Sequence, residues 1–170
     1  NNVVDVTNFV MYEFGTPLHA FDVAKLNGKI VVKNAKEGDV FTTLDEIERK
    51  LSENNMMITN GVEHLCIAGI FGGIDSGIKD GTTDVFLESA YFNPISIRKT
   101  AKFHALNTDS SFRFERGVDP NLTEIALKRG ALLIQELAGG TISMKVVDTN
   151  SLPIENKIVE FSYDRCNRLI

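Results

Sequence analysis

Residues 87 to 120 read LESAYFNPISIRKTAKFHALNTDSSFRFERGVDP, and the fold turns on how this stretch divides. Its first residues close a predicted strand, Thr82 to Ala90. There Val85 and Leu87 share one face and Phe86 and Glu88 the other. A carboxylate on a face with a Phe is costly unless something pairs with it or accepts from it, which makes Glu88 an anomaly. Asn93-Pro94 then opens a helix, with Asn93 as N-cap and Pro94 in the first turn. This helix is expected to run to about Ala105 with Ile97, Ala101 and His104 inward. A polar elbow, Asn107 to Ser111, follows. After it the alternation predicts a short strand, Phe112 and Phe114 on one face and Arg113 and Glu115 on the other, ended by Gly117. Glu88 and the elbow are read as two walls of one site.

Upstream, Val3, Val6, Val10 and Phe14 recur at helical spacing, and Gly15 and Pro17 stop that helix. Thr7 and Asn8 fall mid-helix, where such side chains are poorly favoured without a partner. Residues 16 to 22 read as a loop holding His19 between apolar neighbours, a setting open to a structural or a functional role. Residues 30 to 70 read as β-structure. Strands are expected at 30–32 and 40–44, the polar segment 45–55 as a connection, and a hairpin of 56–58 with 65–68 around Asn60-Gly61. Gly69 to Gly77 holds four glycines in nine residues, a backbone that can approach a ligand closely or simply turn between strands. It lacks the Gly-Lys-Ser/Thr of a phosphate-binding loop. Downstream, Asp119-Pro120 starts a helix to about Ala138, with Leu122, Ile125, Ala126, Leu133 and Leu137 as its apolar stripe, and Gly139-Gly140 ends it. A strand is expected at 141–147, a domain boundary near Pro153, and another strand at 157–163 running into a helix start at 164–170. The expected fold class is α+β, a central mixed or antiparallel sheet with flanking helices.

With 170 residues, 43% hydrophobic and 24% charged, the composition is that of a globular protein with one good core. No apolar run is long enough to span a bilayer, so no membrane association is expected. Cys66 and Cys166 stand far apart with no metal-ligand spacing and read as reduced thiols, which suits a cytoplasmic location. The net charge of −5 argues against coating a nucleic-acid duplex. Between Arg98 and Arg116, however, five basic residues (Arg98, Lys99, Lys102, Arg113, Arg116) face two acidic ones. That patch reads either as a solvated face or as a steer for one phosphate end. The opening Asn1, in place of Met, leads to the expectation that the chain is an excerpt of a longer one. No nucleophile elbow, His/Cys cluster or close carboxylate pair is present. Glu88, His19, the glycine loop and the elbow suit recognition of a small polar molecule or hydrolysis of an activated ester.

The segments NNVVDVTNFVMYEFGTPLHAFD (1–22), GIFGGIDSG (69–77), LESAYFNPISIR (87–98) and TDSSFRFERGVDP (108–120), in this order and spacing, resemble the beta subunit of bacterial phenylalanyl-tRNA synthetases, and more narrowly its editing module. The resemblance covers about residues 1 to 153; residues 154 to 170 resemble the start of the next domain. It implies an α+β module that hydrolyses Tyr mistakenly esterified to phenylalanine tRNA. Carried over residue by residue, it places His19 beside the substrate and Thr7 and Asn8 in the pocket lining. Gly69, Gly72 and Gly73 make the backbone wall, Glu88 receives the tyrosine hydroxyl, and Thr108 and Ser110 form the far side. The family pattern has Ala at Ser110 and Gly at Ala105; the first departure touches pocket volume, the second the end of a helix. The attacking water would be oriented by His19 or by the terminal ribose hydroxyl, with glycine-loop N–H groups on the oxyanion. Arg98, Lys99 and Lys102 are candidates for holding the tRNA end. The implied partners are phenylalanine tRNA and the synthetase alpha subunit, in a heterotetramer of two alpha and two beta chains. ATP and magnesium belong to the parent enzyme, with no cofactor or metal in this fragment. The alternatives are a non-catalytic scaffold that positions tRNA or the partner subunit, and a stand-alone relative binding another small molecule. A carboxylate in the second pocket suits such a sieve, because a pocket for an apolar side chain rejects one extra hydroxyl by only about a hundredfold.

Overall fold

The computed structural model describes residues 1–149 and 158–170. The first helix, α1 (Asn2–Phe14), begins where the Asn1 side chain accepts from the Val4 N–H at 3.1 Å. It stops at Gly15, whose φ of 69° is left-handed and whose N–H returns to the Met11 carbonyl. Its inward face carries Val3, Val6, Val10 and Met11, together with Thr7.

Residues expected as a loop around His19 instead form a strand, β1 (Leu18–Asp22). They do so because they find a partner far along the chain, β8 (Val85–Ser89), in an antiparallel ladder. Four more strands make an antiparallel sheet in the order β2 (Val31–Asn34), β5 (Met56–Thr59), β6 (His64–Ile67), β7 (Phe71–Gly72). β3 (Val40–Thr42) pairs with β4 (Glu48–Lys50), which lies in the segment expected to be a plain connection. The turn at Asn60-Gly61 is as expected; the Asn60 side chain accepts from the N–H groups of Val62 and Glu63. The five strand pairs described are all antiparallel and form three small sheets, which with the flanking helices make the expected α+β class.

After β8 the helix α2 (Pro94–His104) has the predicted cap, Asn93 accepting from the N–H groups of Ile95 and Ser96. Ile97, Thr100 and Ala101 are buried, and His104 is half-buried with Nε2 3.0 Å from Asn55 Oδ1. The predicted strand at Phe112–Glu115 is a helix, α3 (Asp109–Phe114). Thr108 caps it and Ser111 bonds back to the Thr108 N–H, a capping box that favours the helix through local contacts alone. Phe112 and Phe114 therefore point apart, one half exposed (54%) and the other buried (3%).

α4 (Thr123–Ala138) follows a 3-10 turn at Pro120–Leu122. Its buried stripe is Ala126 and Gly130, flanked by Leu133 and Ile134; Ile125 and Leu137, expected inward, are exposed. Close packing selects these small residues: a Cβ on Gly130 would lie 2.6 Å from Leu18 Cδ1 and 3.2 Å from Leu87 Cδ2. No strand forms at 141–147, where Ile142, Met144 and Val147 are exposed and have no neighbouring strand to pair with among the described residues. Residues 158–162 are likewise not a strand, and α5 (Tyr163–Leu169) follows them. The boundary expected near Pro153 lies outside the described residues. The larger core gathers Phe21, Phe41, Leu51, Met57, Ile58, Ile67, Phe92, Ile97 and Phe114; the smaller sits where α1 and α4 cover one face of β1 and β8. No helix is long and apolar enough to cross a membrane.

Candidate functional site

The site grows from the β1–β8 ladder. Its register sets His19 opposite Glu88 and Phe21 opposite Phe86, so period two places all four on one face. Leu18 and Leu87 take the other face, against α1 and α4. The anomaly read from the sequence is thus real: Glu88 shares its face with Phe86, and with an imidazole and a second Phe besides. The His19 ring stands edge-on to Phe21, 4.4 Å between centroids, and rests over Gly72, where an added Cβ would fall 3.3 Å from His19 Cε1 and 3.0 Å from Leu44 Cδ1.

These contacts desolvate both titratable groups. Glu88 is half-buried, and with no hydrogen bond or ion pair to hold its charge, desolvation lifts its pKa from 4.5 to about 7. His19 moves the other way, from 6.5 to about 4, because burial disfavours the imidazolium. Its Nε2 is buried without a hydrogen-bond partner. Burial, and then the charge of Glu88, push the thiol of Cys66 up as well. Near neutral pH the face holds a neutral imidazole beside a carboxyl poised between its two forms. Such a pair can receive or give a hydrogen bond to a hydroxyl without leaving a fixed charge stranded.

The glycines divide by task. Gly72 lets the imidazole lie on the backbone. Gly69, at φ 68°, is hemmed by Phe92, Ile97 and Phe114, so its absent side chain serves the core. Gly73 donates to the Leu65 carbonyl at 3.0 Å, and a Cβ there would fall 2.7 Å from that oxygen. The Gly73 N–H is therefore committed to the fold and is not a free oxyanion donor. Thr108 is doubly engaged: it caps α3 and donates to the Ile70 carbonyl at 2.9 Å, tying the elbow to the glycine loop. Ser110 lies 4.0 Å from the sulfur of Met11, bringing α3 against α1. Thr7 is buried and spends its hydroxyl on the Val4 carbonyl at 2.8 Å, whereas Asn8 is exposed.

The structure therefore joins His19, Glu88 and Gly72 directly, and links Thr108 to the glycine loop and Ser110 to α1. Arg98, Lys99 and Lys102 are exposed on α2; Arg98 and Lys102 border a cavity of about 300 Å³ with Asn107 and Glu115. A larger cleft of about 720 Å³ lies elsewhere, lined by Lys33, Asp39, His64 and Ser76 among others. Sequence reasoning passed over Cys66, Phe21 and Leu44. Only the alternation in β1 could have indicated Phe21; the other two reach the site through long-range pairing. Among the described residues no three His, Cys, Asp or Glu side chains group as a metal site. Both cysteines are free.

Residues 1–139 match the B3/4 domain family. Over its whole length the chain is 54% identical to the phenylalanine–tRNA ligase beta subunit of Bacteroides fragilis, 56% to that of Bacteroides thetaiotaomicron and 50% to that of Geobacter sulfurreducens. It spans 21% of the length of each of these relatives. The chain belongs to the B3/4 domain family, and its similarity runs throughout to the beta subunits of phenylalanine–tRNA ligases.

Proposed function

We propose that this chain is the part of a phenylalanine–tRNA ligase beta subunit that hydrolyses Tyr esterified in error to phenylalanine tRNA, with Glu88 selecting the tyrosine hydroxyl. The observation that carries this reading is a desolvated carboxyl without a partner, opposite an imidazole, on a face otherwise built of aromatic rings. Such a group costs stability, and a phenolic hydroxyl would satisfy it. A bound Phe would leave it buried and unpaired, a difference of about 1–3 kcal/mol or roughly 5- to 150-fold. A scaffold that only positions tRNA has no use for that cost.

The geometry also supports a division of labour. Cross-strand partners stand about 5 Å apart, so His19 and Glu88 work at the same end of the ligand. The ester carbonyl lies a whole tyrosine side chain away from the hydroxyl. His19 accordingly positions the phenol end against Glu88, and the terminal ribose hydroxyl orients the attacking water. That water adds to the ester carbonyl, the carbon–oxygen bond to the ribose breaks, and the ribose oxygen takes the proton, giving free tyrosine and intact tRNA. No protein nucleophile is required. Thr7 and Asn8 of α1 and Thr108 and Ser110 of the elbow bound the space, with Gly69, Gly72 and Gly73 behind it. On this reading the alpha subunit is the assembly partner, in a tetramer of two alpha and two beta chains in the cytoplasm. Ligation, with its ATP and magnesium, belongs to other parts of the parent enzyme.

The test is deacylation of Tyr-tRNA(Phe) by the intact synthetase, with the terminal ribose carrying or lacking its free hydroxyl. The expected result is hydrolysis that collapses when that hydroxyl is removed, with His19→Ala raising KM more than it lowers kcat. Failure of the wild-type enzyme to release tyrosine overturns the assignment.

A further inference from the structure

One arginine clamps the turn that joins β3 to β4. Arg49, its side chain 11% exposed, commits all three guanidinium nitrogens there. Nε donates to the Thr43 hydroxyl at 2.9 Å, Nη2 to the Asp45 carboxylate at 2.6 Å, and Nη1 to the His104 carbonyl at the end of α2 at 3.1 Å. The Thr43 hydroxyl donates to Asp45 and closes the ring of bonds. Backbone contacts stitch the same turn to the glycine segment: the Leu44 N–H donates to the Gly72 carbonyl at 3.0 Å, and Thr43 bridges Gly73. What this framework holds up is a leucine with half its surface in water. Leu44 is 51% exposed, and its Cδ1 closes on the same point above Gly72 as the His19 imidazole. Ordering such a clamp costs entropy, and a leucine left half exposed returns little of it within the fold.

We propose that Leu44 is a wall of the ligand pocket, packing against the aromatic ring of the esterified amino acid, and that Arg49 is the positioning residue that holds it there; the inference rests on the editing reading above. A tyrosine whose hydroxyl reaches Glu88 brings its ring past His19, because the two residues stand opposite each other in the β1–β8 ladder. Leu44 shares the space above Gly72 with that imidazole, so it meets the ring and not the hydroxyl. Its exposed methyl groups leave water when a ring covers them, which favours binding. Glu88 and Leu44 therefore do different work. Glu88 tells Tyr from Phe, whereas Leu44 grips a ring that both possess and adds nothing to the choice between them. Arg49 touches no ligand and acts through the turn. A lysine has one nitrogen and cannot hold Thr43, Asp45 and the His104 carbonyl as a planar fork does, so Arg49→Lys keeps the charge and loses the clamp.

The experiment compares kcat/KM for deacylation of Tyr-tRNA(Phe) and Phe-tRNA(Phe) by the intact synthetase carrying Leu44→Ala, Leu44→Met, Arg49→Lys, or Leu44→Ala with Arg49→Lys. Leu44→Ala is expected to lower kcat/KM at least about tenfold for both esters with their ratio unchanged, and Leu44→Met, which keeps the volume, to restore most of it. Arg49→Lys is expected to lower both rates, yet to add nothing once Leu44 is alanine, because a residue that acts through another is silent in its absence. Leu44→Gln, suited to a half-exposed position, repeats the test should the alanine variant not fold. Unchanged rates in Leu44→Ala, or a loss confined to the Tyr ester, overturn the pocket wall. Losses that multiply in the double variant overturn the positioning role, as does a lowered melting temperature in Arg49→Lys with kcat/KM intact. A wild-type enzyme that releases no tyrosine fails the editing reading and this proposal with it. Tyrosine release by wild type and Leu44→Ala alike fails this proposal alone.

Discussion

Glu88 binds its proton more tightly in the folded chain than in the unfolded one, its pKa moving from 4.5 to about 7. The sign of its effect on stability follows. Below pH 4.5 both states are protonated and the residue costs nothing; the cost grows between 4.5 and 7 and is complete above 7, at up to about 3 kcal/mol. Glu88→Gln should therefore stabilise the fold, by about 2–3 kcal/mol more at pH 8 than at pH 5, as read from denaturant midpoints at the two pH values. An equal gain at both would show that the carboxyl is not desolvated. His19 acts in the opposite sense. With its pKa lowered from 6.5 to about 4, it favours the fold when neutral, and that contribution is lost as pH falls through this window. On the proposed reading, substrate binding couples to the same carboxyl. A tyrosine hydroxyl donating to Glu88 favours the ionised form, so preference for Tyr over Phe should weaken as pH is lowered from 8 to 6. A preference constant over that range, measured by paired deacylation rates, contradicts this assignment of the acceptor.

At the scale of elements, small residues and caps decide what the chain does. α2 ends at Ala105 with φ 53°, a left-handed conformation that disfavours any Cβ. Ala105→Gly should raise stability by about 1 kcal/mol with deacylation unchanged, measured by chemical denaturation. Gly73→Ala should do the reverse. Its Cβ would crowd the Leu65 carbonyl and Phe41 at 2.7 Å, so a loss of about 1–3 kcal/mol is expected in the same assay. Much at this scale was legible from spacing and caps: α1, the Asn93-Pro94 start of α2, the Asn60-Gly61 hairpin and the end of α4 at Gly139 all rest on local chemistry. What misled the reading was a pattern with two meanings. Alternation at Phe112–Glu115 suits a strand, yet the Thr108–Ser111 capping box favours a helix, and a helix is what forms. The stripe of α4 was misplaced because close approach to Leu18 and Leu87 demands Ala126 and Gly130, where hydrophobicity alone points to Ile125 and Leu137.

For the whole molecule, the decisive features come from pairing across long separations. β1 is a strand only because β8 arrives more than sixty residues later, and that same pairing puts His19 opposite Glu88. The sequence showed that Glu88 was out of place on its face; it could not show what stood across from it. The family resemblance pointed to both residues, and the ladder sets them opposite each other on one face. The account therefore stands on selection by one carboxyl. The most direct measurement is the ratio of deacylation rates for Tyr-tRNA(Phe) and Phe-tRNA(Phe), in single turnover, by the intact synthetase with and without Glu88→Ala. The account predicts that the substitution cuts this ratio about 5- to 150-fold, chiefly through slower release of tyrosine. A ratio left at its wild-type value would contradict it.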